Sequence, residues 1–430
     1  MKITLFRLCI TLFFIFTTSV AFSNNDNENE LYRKYGVIYQ VDKAASTFQG
    51  YFNLGTTNTN VLSYGYAQFK AINGITYSFN SKSVKPPIWH NWMTVSEYIA
   101  KRNGDTKSTK CTAKQDEDDY RGLYNDTLPS HSDQYLKDSS GNKIFYETVI
   151  NPVMVNYLDE KSSLSEVLVF PAGHNNYKKG GGKPNEFGSM VLKLAWKKLT
   201  NADDESRYYK VNALVLNGSS ESCEVVSVGL ISMHMVYKGA NQLNWVWSTF
   251  SHEDNAPVTT PIKSEGKPKW SLYDSQSNAE VNTFNASGDN AKIIDEYPSW
   301  FKSTYQNKLA TMPDALYQTY VNDIKNNKTL DFWKNYQQVG TQWTIELEKE
   351  MDKPLCQHFN PNINNNKGDN GKNLCVMPRR LTNTAIEPFV KYNDATIESN
   401  NSSTSCMHCH NGTATVNFLF FPKNIRTVNE

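Results

Sequence analysis

A series of strand-forming segments separated by short turns is the feature that most constrains how this chain folds. These segments are rich in β-branched and aromatic side chains or place apolar side chains on alternate positions. They cover residues 144–150, 166–170, 189–196, 208–216, 224–238 and 243–250. Asn217-Gly218 and Lys238-Gly239 are turn signals between them. Consecutive strands joined by short turns predict an antiparallel sheet with sandwich-like packing.

Beyond residue 260 the pattern of apolar residues changes. Aromatic and aliphatic side chains recur at helix-like spacing in residues 295–308, 313–324 and 328–343, and such stripes are more typical of a packed core than of a cofactor site. The sequence therefore predicts an α+β protein with an antiparallel β-rich, sandwich-like central part and a helical C-terminal region. Its four parts are a signal peptide (1–23), a mixed N-terminal region (24–142), a β-rich region (143–260) and a mainly helical region (261–430).

The first 23 residues have the features of a secretory signal peptide. Lys2 and Arg7 form a basic start, a mostly apolar run covers residues 8–21, and Ala21-Phe22-Ser23 supplies a small-x-small cleavage pattern. The apolar run is shorter than the ~20 residues that span a bilayer. We therefore expect signal cleavage, export to the bacterial periplasm or secretion, and no transmembrane segment in the mature chain.

Charge and composition exclude some classes of protein. The 430 residues include 44 Lys and Arg against 43 Asp and Glu, which argues against nucleic-acid binding through net positive charge. Aromatic residues make up 13% of the chain and supply ample material for a core, so a wholly disordered chain is excluded. Serine triads, phosphate-binding loops and paired-carboxylate motifs do not rise above chance, which disfavours a hydrolase.

Residues 406–410 contain the pattern Cys-x-x-Cys-His, which is the attachment pattern of c-type haem. Two thiols add across the haem vinyl groups and form thioethers, and the histidine after the second cysteine supplies an axial nitrogen to the iron. Export fits this chemistry, because bacteria attach haem c outside the cytoplasmic membrane. The C-terminal region is therefore predicted to carry one covalent haem c, bound by Cys406, Cys409 and His410.

The same cysteines admit two other interpretations. In the first, Cys406 and Cys409 form a disulfide. In the second, they bind zinc together with Cys356 and Cys375. A zinc site requires thiolates that stay reduced, which an oxidising compartment disfavours. Haem attachment is the interpretation we prefer.

The remaining cysteines are candidates for disulfides. Loss of the signal peptide removes Cys9 and leaves an even number of cysteines, which suits pairing in an oxidising compartment. Cys356 and Cys375 flank an Asn-rich loop, and a bond between them would close that loop. Cys111 and Cys223 are then the second pair by elimination.

The motif does not define the second axial ligand of the iron. The residues after His410 include no methionine or histidine, so a distal protein ligand must come from upstream. His252 and Met377 are the leading candidates. An iron that is open or bound to water is the alternative, and the further histidine candidates are His174, His234 and His358.

Several segments occur in the order seen in a known family. They cover residues 144–147, 170–173, 188–197, 228–238, 245–255, 339–343, 381–384 and 405–410. In these segments the chain resembles exported bacterial proteins classified only as cytochrome c family proteins. The resemblance implies a monohaem protein whose large non-haem part belongs with the haem segment. It makes His252 the most interesting upstream histidine, and it implies no reaction.

Three functions are compatible with these features. Electron transfer or redox sensing, which we expect first, needs the haem motif, one porphyrin edge near the surface and a redox partner protein. A haem-dependent oxidoreductase, for example a peroxidase-like enzyme, needs an open distal position and a proton donor such as His252, His234 or Arg379. The third function is ligand binding with a structural haem. The oligomeric state stays open.

Overall fold

The structure is a computed structural model, and it describes slightly less than half of the chain. The described residues are 65–66, 68–70, 72–75, 86–104, 120–123, 134–161, 168, 170–171, 188–216, 223–238, 245–257, 270–283, 288–294, 321–322, 324, 328–346, 357–358, 374–377, 381–388, 406 and 410. Strands are the main element in these ranges. None of the described helices is both long and apolar enough to cross a membrane.

Most of the named elements are strands. The strands are β1 (Met93–Thr94), β2 (Arg121–Leu123), β3 (Phe145–Ile150), β4 (Met190–Lys198), β5 (Lys210–Leu216), β6 (Cys223–Tyr237), β7 (Val246–His252), β8 (Tyr336–Glu346), β9 (Gln357–His358) and β10 (Leu374–Met377). Two α-helices lie entirely within the described residues, α1 (Val95–Arg102) and α2 (Pro152–Asp159). Three 3-10 helices cover Ile88–Asn91, Glu205–Arg207 and Lys328–Asn335.

Local sequence explains where both α-helices begin. Thr94 accepts a hydrogen bond from the backbone N–H of Glu97, and the Glu97 carboxylate accepts one from the backbone N–H of Thr94, which is a capping box. In α2, Asn151 caps the helix by accepting from the N–H of Met154, and Pro152 occupies the first turn, where no N–H is needed.

All ten strands form one sheet, in the order β1-β3-β4-β6-β7-β8-β10-β9, with β5 paired to β6 and β2 paired to β5. The pairs are antiparallel except β2–β5, which is parallel, so the sheet is mixed. The 15-residue strand β6 pairs with β4, β5 and β7 and therefore lies at the centre. Its last ten residues are all buried, because both faces of the sheet are covered there.

Side chains of β6 and β7 alternate between two apolar faces. We call one the aromatic face, where Met235 and Phe250 pack with a cluster that includes Trp89, Trp196 and Trp333. We call the other the motif face, where Val236 and Trp247 pack with Phe170 and with side chains of α1 and α2. The ladder between β6 and β7 keeps one register from Ser232–Ser251 to Tyr237–Val246. Residues an odd number of positions apart on β7 therefore point to opposite faces.

The fold class predicted from the sequence is wrong. One mixed sheet replaces the expected sandwich, and the described part of residues 261–430 contributes β8, β9 and β10 to that sheet instead of a helical region. Residues 328–343, predicted to be helical, form a 3-10 helix followed by most of β8. Pairing of β8 with the edge of β7 decides this difference, because it satisfies backbone groups that a local pattern does not reveal. This β-rich sheet does not fit a helical cytochrome c fold.

A buried ion pair joins several elements on the aromatic face. Arg121 Nε lies 2.6 Å from Glu147 Oε1, and the same oxygen accepts a hydrogen bond from Trp196 Nε1 at 2.7 Å. The guanidinium also donates to the carbonyl of His90 and lies 5.3 Å from the centre of the Trp89 ring. Its side chain is 8% exposed and that of Glu147 is 4% exposed, so neither charge has water as an alternative partner.

We predict that Arg121→Ala strongly destabilises the fold, because it leaves the Glu147 carboxylate buried without a cation. The expected loss in free energy of unfolding is about 3–5 kcal/mol, measured by urea denaturation. Lys101→Ala is the matched control, since it removes the exposed Lys101–Asp159 pair and should cost less than about 1 kcal/mol. Equal losses in the two variants would contradict the prediction.

Candidate functional site

The structure brings two of the three predicted haem-binding residues to the motif face. Cys406 and His410 both have helical backbone. Cys406 is partly buried against the apolar cluster of this face, and its thiol donates to the carbonyl of Leu381 with an S–O distance of 3.5 Å. Cys409 lies outside the described residues.

His410 is buried against a tryptophan of the sheet. Only 8% of His410 is exposed, and the centre of its ring lies 4.4 Å from the centre of the Trp247 ring at an interplanar angle of 51°. Trp247 is itself buried, opposite Val236 in β6 and Gln342 in β8. The sheet register thus fixes the side chain that contacts the predicted axial histidine.

The residues around Cys406 and His410 have the properties that a c-type haem needs. A porphyrin requires a large apolar surface, and the cluster beside Cys406 supplies one from four sources: the sheet, α1, α2 and the residues near Phe170. A thiol at the edge of that surface and a buried imidazole four residues later match the donor set of the motif. The described residues therefore fit haem c.

Residues 381–388 are attached to the motif face by hydrogen bonds to the sheet. Asn383 Nδ2 donates to Thr249 Oγ1 at 2.8 Å and to the carbonyl of Phe250 at 3.1 Å, and the Tyr146 hydroxyl donates to the carbonyl of Ala385. Gly340 lets this segment approach β8, since a Cβ there would lie 2.7 Å from Leu381 Cδ1. Leu381, which accepts from Cys406, therefore has a defined place on the sheet.

A part-buried histidine–carboxylate pair lies on the same face. His234 Nε2 is 2.8 Å and 3.0 Å from the two carboxylate oxygens of Glu387. Burial would raise the pKa of Glu387, but His234 and the nearby Lys193 lower it below its usual value. His234 is a diagonal neighbour of Trp247 across the β6–β7 ladder, a spacing of about 7–8 Å between Cα atoms. The part-buried His234–Glu387 pair thus lies one residue pair away from the Trp247–His410 contact.

His252, the leading candidate for the distal ligand, is not brought to the motif. It lies five residues from Trp247 on β7, so it belongs to the opposite face of the strand. Its Nε2 donates to the carbonyl of Arg207 at 3.0 Å, and its Nδ1 accepts from the backbone N–H of Asp254 at 3.2 Å. Burial lowers its pKa to about 4. Both ring nitrogens are therefore used inside the fold, and His252 has a structural role in this structure.

Stacking with aromatic rings also holds His252 in place. The Tyr208 ring lies parallel to it at 4.2 Å, and the Tyr336 ring meets it edge-on at 5.1 Å. The segment at residues 252–255, to which the family resemblance drew attention, is therefore the end of a strand. There Arg207 forms ion pairs with Glu253 and Asp254.

Apart from His252 and His234, the candidate ligands have described backbones at most. Met377 ends β10 opposite Trp343, and His358 ends β9 opposite Cys375. Their side chains lie outside the described residues, as do His174 and Arg379 entirely. Among the described residues, no group of three or more His, Cys, Asp and Glu side chains is arranged to bind a metal ion.

The predicted disulfides are described in part. Cys223, at the start of β6, is disulfide-bonded, and its partner lies outside the described side chains. The proposed partner Cys111 lies outside the described residues, and so does Cys356. Cys375 lies on β10 between Ile345 of β8 and His358 of β9. The predicted pairings stay predictions.

Sequence reasoning missed two residues of this site, Trp247 and Glu387. Trp247 stands in a strand pattern where large apolar residues are common, so its contact with His410 had no local signal. Glu387 pairs with a histidine 153 positions earlier, and no spacing rule connects residues that far apart.

Comparison with known proteins gave no match to a family model, a curated protein or a solved structure. The resemblance to cytochrome c family proteins therefore stays a prediction. The functional argument depends on the geometry of the motif face.

We predict that Glu387→Gln destabilises the protein in a pH-dependent way. The folded-state pKa of Glu387 lies below its unfolded value, so its contribution is fully present above about pH 5 and is lost as the pH falls through the folded value. The expected cost at pH 7 is about 1.5–3 kcal/mol, decreasing toward about pH 3. Urea denaturation at a series of pH values measures it.

Glu224→Gln is the control for this experiment, because Glu224 forms an exposed pair with Lys198. Its cost should stay below about 1 kcal/mol. If the cost of Glu387→Gln were the same at pH 7 and pH 3, the charged form of Glu387 would not be the stabilising species.

Proposed function

We propose that this protein is an exported, monohaem c-type cytochrome-like protein that transfers electrons or senses redox state. The observation that carries the proposal is the placement of Cys406 and His410 together beside an apolar cluster, with His410 buried against Trp247. When bound, haem c would supply a one-electron Fe(III)/Fe(II) couple. Cys406 and Cys409 would hold it covalently, and His410 would be its axial ligand.

The surroundings of the motif suit a redox centre. Apolar side chains of the motif face exclude water from one side of His410, and low solvent access is one of the means by which a protein sets a reduction potential. Trp247 limits the orientations of the His410 ring, which orients its ligating nitrogen. A fixed ligand set suits electron transfer to a redox partner protein, because little has to rearrange when the iron changes its charge.

Periplasmic or extracellular location is part of the proposal. The N-terminal signal pattern supports it, and so does the disulfide of Cys223, since disulfides persist in oxidising compartments. Haem c attachment requires the same compartment.

A haem-dependent oxidoreductase of the peroxidase type is the second candidate, favoured by the His234–Glu387 pair. Of the proton donors considered from the sequence, His252 is bonded through both nitrogens on the other face, and Arg379 lies outside the described residues. His234 lies on the motif face, and its Nε2–H donates to a carboxylate. That pair would supply general acid–base chemistry if the distal position of the iron were open.

Covalent haem attachment is the first test. Produced in a host with haem c maturation, the protein should show haem staining on a denaturing gel, and the double variant Cys406→Ala, Cys409→Ala should lose the stain. Cys375→Ala is the matched control and should keep it, whereas a zinc site shared with Cys375 would make both variants lose bound zinc. Unchanged staining in the double variant, or none in the unmodified protein, would refute the proposal.

Carbon monoxide separates the two candidate functions. A ferrous protein that does not bind CO supports electron transfer, because both axial positions are then filled. If CO and peroxide bind, the second candidate predicts that His234→Gln slows the peroxide reaction by roughly 10²–10⁴-fold. His90→Gln is the control, since His90 bonds to Tyr209 away from the motif, and it should keep the full rate.

A further inference from the structure

The indole nitrogen of Trp247 has an unmet hydrogen-bond requirement. Trp247 is 3% exposed, and among the residues that the structure describes none accepts a hydrogen bond from its buried Nε1. A buried donor without a partner costs about 1–3 kcal/mol, so folded proteins rarely keep one. An acceptor from outside the described polypeptide is therefore expected at this position.

Other buried tryptophans show how an indole N–H finds a hydrogen-bond acceptor in this fold. Trp89 Nε1 donates to Asn73 Oδ1 at 2.8 Å, and Trp196 Nε1 donates to the Glu147 carboxylate at 2.7 Å. Trp92 shares the unmet requirement of Trp247, but it belongs to the aromatic face. The ring contact of Trp247 with His410 thus distinguishes it from Trp92.

The contact with His410 indicates which group would accept a hydrogen bond from the indole N–H of Trp247. A haem bound through His410 carries two propionate carboxylates at one edge of the porphyrin, and the Trp247 ring lies 4.4 Å from the imidazole. Indole N–H groups are donors only, and an ionised carboxylate is a strong acceptor. The group expected to bind at Cys406 and His410 therefore brings the acceptor that Trp247 lacks.

Lys238 supplies a basic side chain on the same face as Trp247. Lys238 continues the β6 ladder by one residue, with its backbone N–H donating to the carbonyl of Ser189, so the alternation places it on the motif face beside Trp245. Lys238 is buried, and burial lowers its pKa to about 8. A carboxylate bound nearby would favour the charged form of Lys238, and that charge would in turn favour the carboxylate.

We propose that the indole N–H of Trp247 donates a hydrogen bond to a haem propionate while its ring holds the imidazole of His410. This inference rests on the proposed function. It makes Trp247 a haem-binding residue supplied by the central sheet, outside the attachment motif. Loss of the N–H leaves the propionate more basic and its negative charge less compensated, which favours Fe(III).

Trp247→Phe tests the proposal in the haem-loaded protein, because it keeps an aromatic ring and removes the N–H. We expect an unchanged haem stain on a denaturing gel, a shifted propionate bending band in the resonance Raman spectrum and a lower reduction potential. Trp92→Phe removes the other unpaired indole N–H and should change neither the band nor the potential. Both substitutions remove the same number of atoms.

A second measurement applies if Trp247→Phe does not fold. The unmodified protein, produced in deuterated medium, should show a shift of the propionate band relative to the protonated protein. An unchanged band and potential in folded Trp247→Phe would overturn the inference. So would an unchanged band in the deuterated protein, because the propionate would then accept no hydrogen bond. Absence of haem stain from the unmodified protein is a different result, which refutes the proposed function itself.

Discussion

The uninterrupted ladder between β6 and β7 is the constraint on which the rest of the structure depends. It fixes which side chains reach each face of the sheet, and a slip of one residue would exchange all of them. Trp247 and His252 belong to the same strand, yet one contacts His410 and the other bonds to Arg207 on the opposite side. The role of each residue follows from register and cannot be assigned from residue type.

Hydrogen bonds between polar groups on the motif face are a second constraint, because they fix the position of residues 381–388 on the sheet. The buried Asn383 and the part-buried Glu387 are bonded to Thr249 and His234, so the segment that contains them fits the sheet in one position. Buried polar groups tolerate misplacement poorly, because a lost partner leaves a desolvation cost. The position of Leu381 follows, and Leu381 accepts the hydrogen bond from Cys406. Through this hydrogen bond, Cys406 has a defined position relative to the central strands.

Sequence patterns predicted the central strands well and the helical region badly, for physical reasons. Residues 144–150 are rich in strand formers, and Phe145–Ile150 form β3. The alternation in residues 189–196 is seen in β4, where Met190, Leu192, Leu194 and Trp196 belong to the same cluster. In residues 328–343 the spacing of Leu330, Trp333 and Tyr336 fits an α-helix and a 3-10 helix equally well. A 3-10 helix forms at the start of this range, and pairing with β7 makes the rest part of β8. Such pairing is non-local and leaves no trace in a local window.

The same limit applies to the site. The spacing of Cys406, Cys409 and His410 predicts haem attachment because that chemistry is local in the sequence, and it stays a prediction. The contacts of Trp247 and Glu387 could not be predicted from the sequence. Trp247 lies 163 positions from His410, and Glu387 lies 153 positions from His234. His252 was overvalued for a related reason, because its burial and its two bonds depend on Tyr208, Arg207 and the strand register.

The large non-haem part of the chain becomes easier to understand from these contacts. In the proposed function, the motif itself supplies attachment and one ligand, but it supplies little of the environment that sets a reduction potential. Here the apolar surface, the ring against His410, the Glu387 carboxylate and the buried Lys238 all come from the sheet or from residues bonded to it. The sheet and the motif would therefore act as one redox unit, and changes in the sheet would alter the iron without touching its ligands.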